Sequence, residues 1–240
     1  MSLLPLVDFS KNQILANLPD EESKRLLPDL QLLSPRLSDV VYRSGDPVRY
    51  AYFPLDAVVS ILASMEDGRT VEVTLIGNEG IVGITALLGG STSGTVAVVQ
   101  VPGDYLRIKA DVLQAEFRRG GMLNRRLLRY INYLLAQISQ TAACNRLHRL
   151  EQRLARWLLM THNRVQRDEF PITHEFLSHM LGTPRSEVTI AAGILQKSWL
   201  IRYGRGSVTI LDRPGLEAVA CECFQTDRAR LNDPPSEMKL

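Results

Sequence analysis

Apolar residues come in short, evenly spaced bursts through the first half of the chain and at helical spacing through the second. Val40 to Arg43 is a short apolar run closed by the turn formers Ser44, Gly45, Asp46 and Pro47. Ala51 to Pro54, Val58 to Met65 and Thr70 to Ile76 follow. Asp67-Gly68 joins the last two, and such a pair between β-rich stretches favours a hairpin. Val96 to Val101 and Tyr105 to Ile108 flank a further turn at Pro102-Gly103-Asp104. Short strands at regular spacing, with no long helix between them, predict an antiparallel sandwich or barrel.

Residue 120 marks a change of period. No Pro or Gly occurs from Met122 to Arg164. Leu123, Leu127, Tyr130 with Ile131, Leu134, Ile138 and Thr141 recur at steps of three and four, a helical stripe that Leu128, Leu135 and Ala142 widen. So long a helix should not bury its stripe on one short sheet. The expectation is that Leu123, Leu127, Ile131, Leu134, Ile138 and Thr141 meet the same helix of a second copy, as in a coiled coil. The competing reading lays the helix wholly on the β domain. Leu147 to Asn163 is a second helical stretch.

The densest pattern lies between Pro171 and Leu211. Thr173 is a good N-cap for a helix from His174 to Leu181, which carries Phe176, Leu177, Met180 and Leu181 on one face. Gly182 stops it in a left-handed turn; Thr183 is then read as the next cap, with Pro184 in the first turn of a helix running to Lys197. On that second helix Val188, Ala191, Ala192 and Leu195 share a packing face. Arg185, Ser186, Thr189, Ile190 and Gly193 point the other way. Leu200 to Tyr203 and Ser207 to Leu211, around Gly204-Arg205-Gly206, form a wing hairpin. Helix, glycine turn, helix and wing predict a winged helix-turn-helix that reads double-stranded DNA. Arg185 is placed for guanine O6 and N7, and Ile190 for a thymine methyl; Glu187 reads a cytosine amino group or turns away. Thr173, His174 and Thr183, with Arg205 at the wing tip, are candidate DNA contacts, Thr173, His174 and Arg205 on the sugar–phosphate backbone.

Charge agrees with this division. Residues 1–120 hold 11 Lys/Arg against 15 Asp/Glu, and residues 121–240 hold 17 against 11, so the basic half carries the helix-turn-helix. No run is apolar enough for a membrane span, and Met1 to Ser10 does not read as a signal peptide, so a cytoplasmic protein is expected. The three cysteines, Cys144, Cys221 and Cys223, are too few for a disulfide framework. Cys221-x-Cys223 supplies only two ligands, with no His within forty residues, so no metal site or cofactor is expected. Cys144 is read as helical core packing, with redox sensitivity as the competing reading. The overall expectation is an α+β chain: an antiparallel β-roll over residues 1–120, a dimerisation helix over 121–146, a winged helix-turn-helix over 147–220 and a C-terminal tail over 221–240.

From about residue 14 to 215 the chain resembles the Crp/Fnr family of bacterial regulators. The resemblance rests on Tyr52-Phe53-Pro54-Leu55, on Val73 to Gly83, and on the unbroken stretch from Thr173 to Val188. It implies a cyclic-nucleotide-binding-like double-stranded β-helix, a long dimer helix, a winged helix-turn-helix and contact with RNA polymerase. Arg185 aligns with the family's base-reading Arg. Ser186 and Ile190 fall where the family's second and third base-reading residues lie, which points away from its usual operator. In the roll, Ile84 stands where cyclic-nucleotide-binding relatives use a Glu for the ribose. No Lys or Arg occurs between Arg69 and Arg107 to neutralise a cyclic phosphate, so cAMP binding in the family's manner is not expected. Glu79, Gly80, Gly83, Ser91, Thr92 and Ser93 remain as a polar pocket for an effector of unassigned chemistry, or as a turn. With the first Cys at 144 and the first His at 148, an iron–sulfur cluster or haem in the roll is disfavoured.

Two other functional classes fit these residues less well. A cupin-like oxygenase needs His ligands in the roll, and residues 1–147 contain none. A cyclic-nucleotide- or other small-ligand-binding regulatory protein acting on a protein partner is the alternative, against which the wing, the basic bias and Arg185 speak.

Overall fold

A computed structural model describes residues 8–16, 18–204 and 206–232. The expected strands appear as β2 (Val40–Tyr42), β3 (Tyr50–Pro54), β4 (Val58–Ser64), β5 (Thr70–Ile76), β6 (Val96–Val101) and β7 (Tyr105–Lys109). A short β1 (Gln31–Leu33) and the flanking helices α1 (Asp20–Leu26) and α2 (Ala110–Arg118) join them. The sheets run β1-β7-β3 and β2-β6-β4-β5, every pairing antiparallel, which is the expected roll. Gly68, at φ +83, turns the β4–β5 hairpin as its Asp-Gly pair requires.

Helix α3 (Gly121–Leu147) crosses the roll, and α4 (Leu150–Val165) follows after a break at His148 and Arg149. Glu22 of α1 caps α3, accepting from the Met122 and Leu123 backbone N–H groups at 2.9 and 2.8 Å. The stripe assigned to a dimer interface is instead used up within the chain. Leu123, Leu127 and Leu134 lie in the core of the roll beside Phe53, Leu106 and Leu113, and Ile131 is buried too. Ile138 packs partly against that core, and Thr141 accepts a hydrogen bond from Arg156 at 3.1 Å. The roll offers α3 more apolar surface than its short strands suggested, because Tyr52, Ile81, Val82 and the α2 residue Leu113 extend the platform.

A second core joins the roll to the rest of the chain. Val58, Leu62, Leu75 and Val101 meet Leu154, Trp157 and Leu158 of α4, and the same cluster runs on through the C-terminal elements. These are β8 (Glu169–Pro171), α5 (His174–Leu181), α6 (Arg185–Lys197), β9 (Ile201–Gly204), β10 (Ser207–Ile210), α7 (Arg213–Val219) and α8 (Cys223–Asn232), with sheet order β8-β10-β9. The expected tail is therefore partly helix. Phe224 and Asp227 of α8 are buried, and α8 packs on α3. No helix among the described residues is long and apolar enough to cross a membrane.

Candidate nucleic-acid interface

The helix-turn-helix is built as its sequence pattern requires. Thr173 caps α5, accepting from Phe176 N at 3.1 Å, and Gly182 ends it at φ +60. A side chain at Gly182 would also meet Val71 of β5 at 3.0 Å, so the turn sits against the roll. The second helix starts one residue later than expected. Pro184 occupies the N-cap and the helix begins at Arg185; Thr183 lies outside the cap. The Thr183 hydroxyl donates instead to Glu187 Oε2 at 2.5 Å, so Glu187 turns toward the N-terminus of α6.

Val188, Ala191, Ala192 and Leu195 are all buried. Arg185, Ser186, Thr189 and Ile190 are exposed on the opposite face, Ile190 at 64%. An apolar side chain so displayed costs free energy in water and gains it against another apolar group. The Thr189 hydroxyl donates to the Arg185 carbonyl at 3.0 Å, which holds the first turn of this face.

His174 does not reach outward as a phosphate contact would. Its ring stacks on Tyr203 of the wing at a 4.1 Å centroid distance, and Nδ1 lies 3.0 Å from the Thr189 hydroxyl. Burial, and then the positive Arg185 nearby, hold it below the ordinary histidine pKa, so the ring is neutral near pH 7. Its role is to join α5, α6 and the wing into one unit. Tyr203 completes this, donating its hydroxyl to the Ile172 carbonyl at 2.8 Å. Arg205, assigned to the wing tip, lies outside the described residues.

The residues proposed as an effector pocket are not gathered into one. The Glu79 carboxylate accepts from Arg164 of α4 at 2.7 and 2.9 Å. Gly80 lies under Tyr130, whose ring leaves no space for a side chain there. Gly83 faces the Tyr50 carbonyl, whereas Ser91 and Thr92 are exposed beside Val48 and Pro47. The roll's open groove, of about 360 Å³, is lined by Tyr42, Arg49 and Tyr50 among others, and of the expected residues only Ser93 reaches it. The Arg164–Glu79 pair was missed because it joins a helix to a loop 85 residues away, and no local pattern encodes such a contact. The hydrogen bond from Trp157 Nε1 to Glu72 Oε1 at 2.9 Å, also between α4 and the roll, was missed for the same reason. Both tie the roll to the helix that carries the DNA-reading unit.

Residues 36–119 match the cyclic nucleotide-binding domain family, and residues 152–219 match the Crp-like helix-turn-helix domain family. No curated protein gives a significant match. Among solved structures, a Crp/Fnr-family regulator from Eubacterium rectale is 15% identical with a TM-score of 0.69, over 88% of this chain and 98% of that one. FixK2 from Bradyrhizobium japonicum is 16% identical at a TM-score of 0.68, over 80% and 98%. The c-di-GMP-responsive global regulator CLP of Xanthomonas campestris is 17% identical at 0.65, over 80% and 99%. At these identities the structures share the fold, and the two domain matches, in this order along one chain, supply the rest. The chain belongs to the Crp/Fnr family of transcription regulators, with a cyclic nucleotide-binding-type domain followed by a DNA-binding helix-turn-helix.

Proposed function

We propose that the chain is a cytoplasmic, homodimeric, sequence-specific DNA-binding regulator that reads its operator through α6, with RNA polymerase as the protein partner. The observation that carries this reading is the two-sided α6. Its apolar face is fully buried, while the opposite face presents Arg185, Ser186, Thr189 and Ile190 together, led by the one guanidinium. Such a face fits a major groove, where Arg donates two hydrogen bonds to guanine and Ile touches a thymine methyl. In this reading Glu187, tied to Thr183, contributes orientation rather than base contact. Selection of bound sequences from random DNA, with gel shifts over a range of salt, tests the reading. Affinity for the selected site should fall steeply as salt rises. Arg185→Ala is expected to cost ~1–3 kcal/mol on the selected site and to relax preference at one base pair per half-site. Equal loss on selected and random DNA would rule out base reading by Arg185.

Two reading helices must span half-sites about one helical turn apart, which calls for a second copy. Support for the dimer comes from the face of α3 that the roll leaves uncovered. Leu128, Asn132, Leu135, Ser139, Ala142 and Arg146 alternate at steps of four and three, all exposed, with Leu128 at 48% and Leu135 at 59%. Leu135→Glu is expected to convert the dimer to a monomer by light scattering and to weaken operator binding at least tenfold. A dimer that persists in this variant would move the interface elsewhere. The roll, in this reading, does not take a cyclic nucleotide in the family's usual way, since Ile84 stands in place of the ribose-binding Glu and no Lys or Arg lies between Arg69 and Arg107 to meet a cyclic phosphate. Its effector is of other chemistry and acts by changing how the paired helices pack.

A further inference from the structure

Four donor groups converge where α3 ends. Cys144 lies in the last turn of that helix and His148 one turn further on, so the two share a face. Cys221 and Cys223 arrive from the junction of α7 and α8. The expectation that this Cys-x-Cys pair lacks further ligands is thus overturned: one donor atom from each of the four residues lies within 4.8 Å of all the others. Cys144 Sγ is 3.5 Å from Cys221 Sγ, and Cys223 Sγ is 3.6 Å from His148 Nδ1. A tetrahedral zinc ion, with sulfur at ~2.3 Å and nitrogen at ~2.0 Å, sets its donors roughly 3.5–3.8 Å apart. The three sulfurs are buried and form a cluster apart from both apolar cores.

The surroundings fit ligation rather than idle thiols. His148 Nε2 lies 3.1 Å from the Glu222 carboxylate. With Nε2–H donating there, Nδ1 is left unprotonated toward the sulfurs, the arrangement by which carboxylates orient metal-bound histidines. Gln140 Nε2 donates to Cys223 Sγ at 3.1 Å. Three soft sulfurs and one imidazole exclude magnesium and calcium and leave no open coordination position.

We propose that Cys144, His148, Cys221 and Cys223 form a closed, structural Zn²⁺ site that fastens α8 to the break between α3 and α4. Binding displaces to solvent the protons the thiols still carry, with no change of oxidation state. Two ligands come from the end of the long helix and two from beyond the DNA-reading unit, 77 residues away. The ion therefore holds that unit against the break at His148 and Arg149.

The test uses the full chain, purified under reducing conditions. Elemental analysis should give one zinc per chain. Replacement by cobalt(II) should give the visible bands of a tetrahedral thiolate site, and Cys144→Ser and Cys223→Ser should abolish them. Since these variants can also fail to fold, Glu222→Gln supplies a second measurement at a side chain that is 77% exposed. It should weaken zinc ~10–100-fold in chelator competition while the fold is kept. Protein free of zinc, a Cys144–Cys221 disulfide in its place, or iron–sulfur absorption would overturn the proposal, as would a Glu222→Gln affinity equal to the parent's. None of these readouts depends on DNA binding.

Discussion

Arg164→Ala is expected to destabilise the protein by ~3–5 kcal/mol, the usual consequence of leaving one member of a buried ion pair without its partner. The side chains of Arg164 and Glu79 are only 6% and 2% exposed. Glu79 Oε1 accepts from Arg164 Nε at 2.9 Å and Nη2 at 2.7 Å, and from the Gly77 backbone N–H at 3.1 Å. The guanidinium also donates to the Met160 and Leu75 carbonyls at 2.9 and 3.2 Å. Burial alone would ease a proton from the guanidinium, but the charge and hydrogen bonds of Glu79, together with Tyr133 and Tyr130, outweigh it and raise the Arg164 pKa. Alanine would remove all four hydrogen bonds and strand a carboxylate where water is scarce. The approach is so close that a side chain at Gly77 would meet Arg164 Cγ at 2.9 Å, which accounts for the glycine. Urea denaturation near pH 7 checks the value, and the pair Arg164→Met with Glu79→Gln should recover much of the loss. A single-variant cost below ~1 kcal/mol would mean that the pair is effectively solvated.

The second large effect is a pH dependence set by Glu72. Burial pushes its carboxyl up to about 8 from an ordinary value of 4.5, more than the hydrogen bond from Trp157 and the nearby arginines bring it down. The group is therefore protonated in the docked protein at neutral pH. Because the folded value is the raised one, its stabilisation is complete below about pH 4.5 and is lost as pH rises through about 8. Across that window each unit removes about 1.4 kcal/mol from this group's contribution. Glu72→Gln keeps an acceptor for Trp157 Nε1 without a charge to desolvate. The variant should match the parent at pH 4.5 and exceed it by roughly 2–4 kcal/mol at pH 8. Denaturation midpoints measured across the range decide the matter. Parallel curves for the two proteins would show that Glu72 is hydrated and the α4–roll contact looser than the 2.9 Å hydrogen bond implies.

Both effects belong to the contact between roll and α4, and neither was visible in the chain read residue by residue. The strands, the Asp67-Gly68 turn, the Thr173 cap, the Gly182 stop and the two faces of α6 were legible because each follows from a local period or a backbone preference. The long helix shows where such reading ends. Its spacing gave a helix correctly, but several faces of α3 carry apolar residues. Periodicity cannot tell which of them meets the chain's own sheet and which is left for a second copy. The roll took Leu123, Leu127 and Leu134 and left Leu128 and Leu135 outside.

The cysteines make the same point for chemistry. Cys144 and His148 stand one helical turn apart and Cys221 and Cys223 two residues apart, so each half of the cluster is present in the sequence as a weak motif. Their union needs α8 to return onto α3. What the sequence determined by itself is the class and order of the elements, the glycine and proline punctuation, and the outward face of α6. These depend on dihedral preferences and spacings within a few residues. Which apolar stripe is covered, which carboxylate is dehydrated and which thiols meet were decided only by the tertiary structure. Burial and long-range pairing depend on what arrives from elsewhere in the chain.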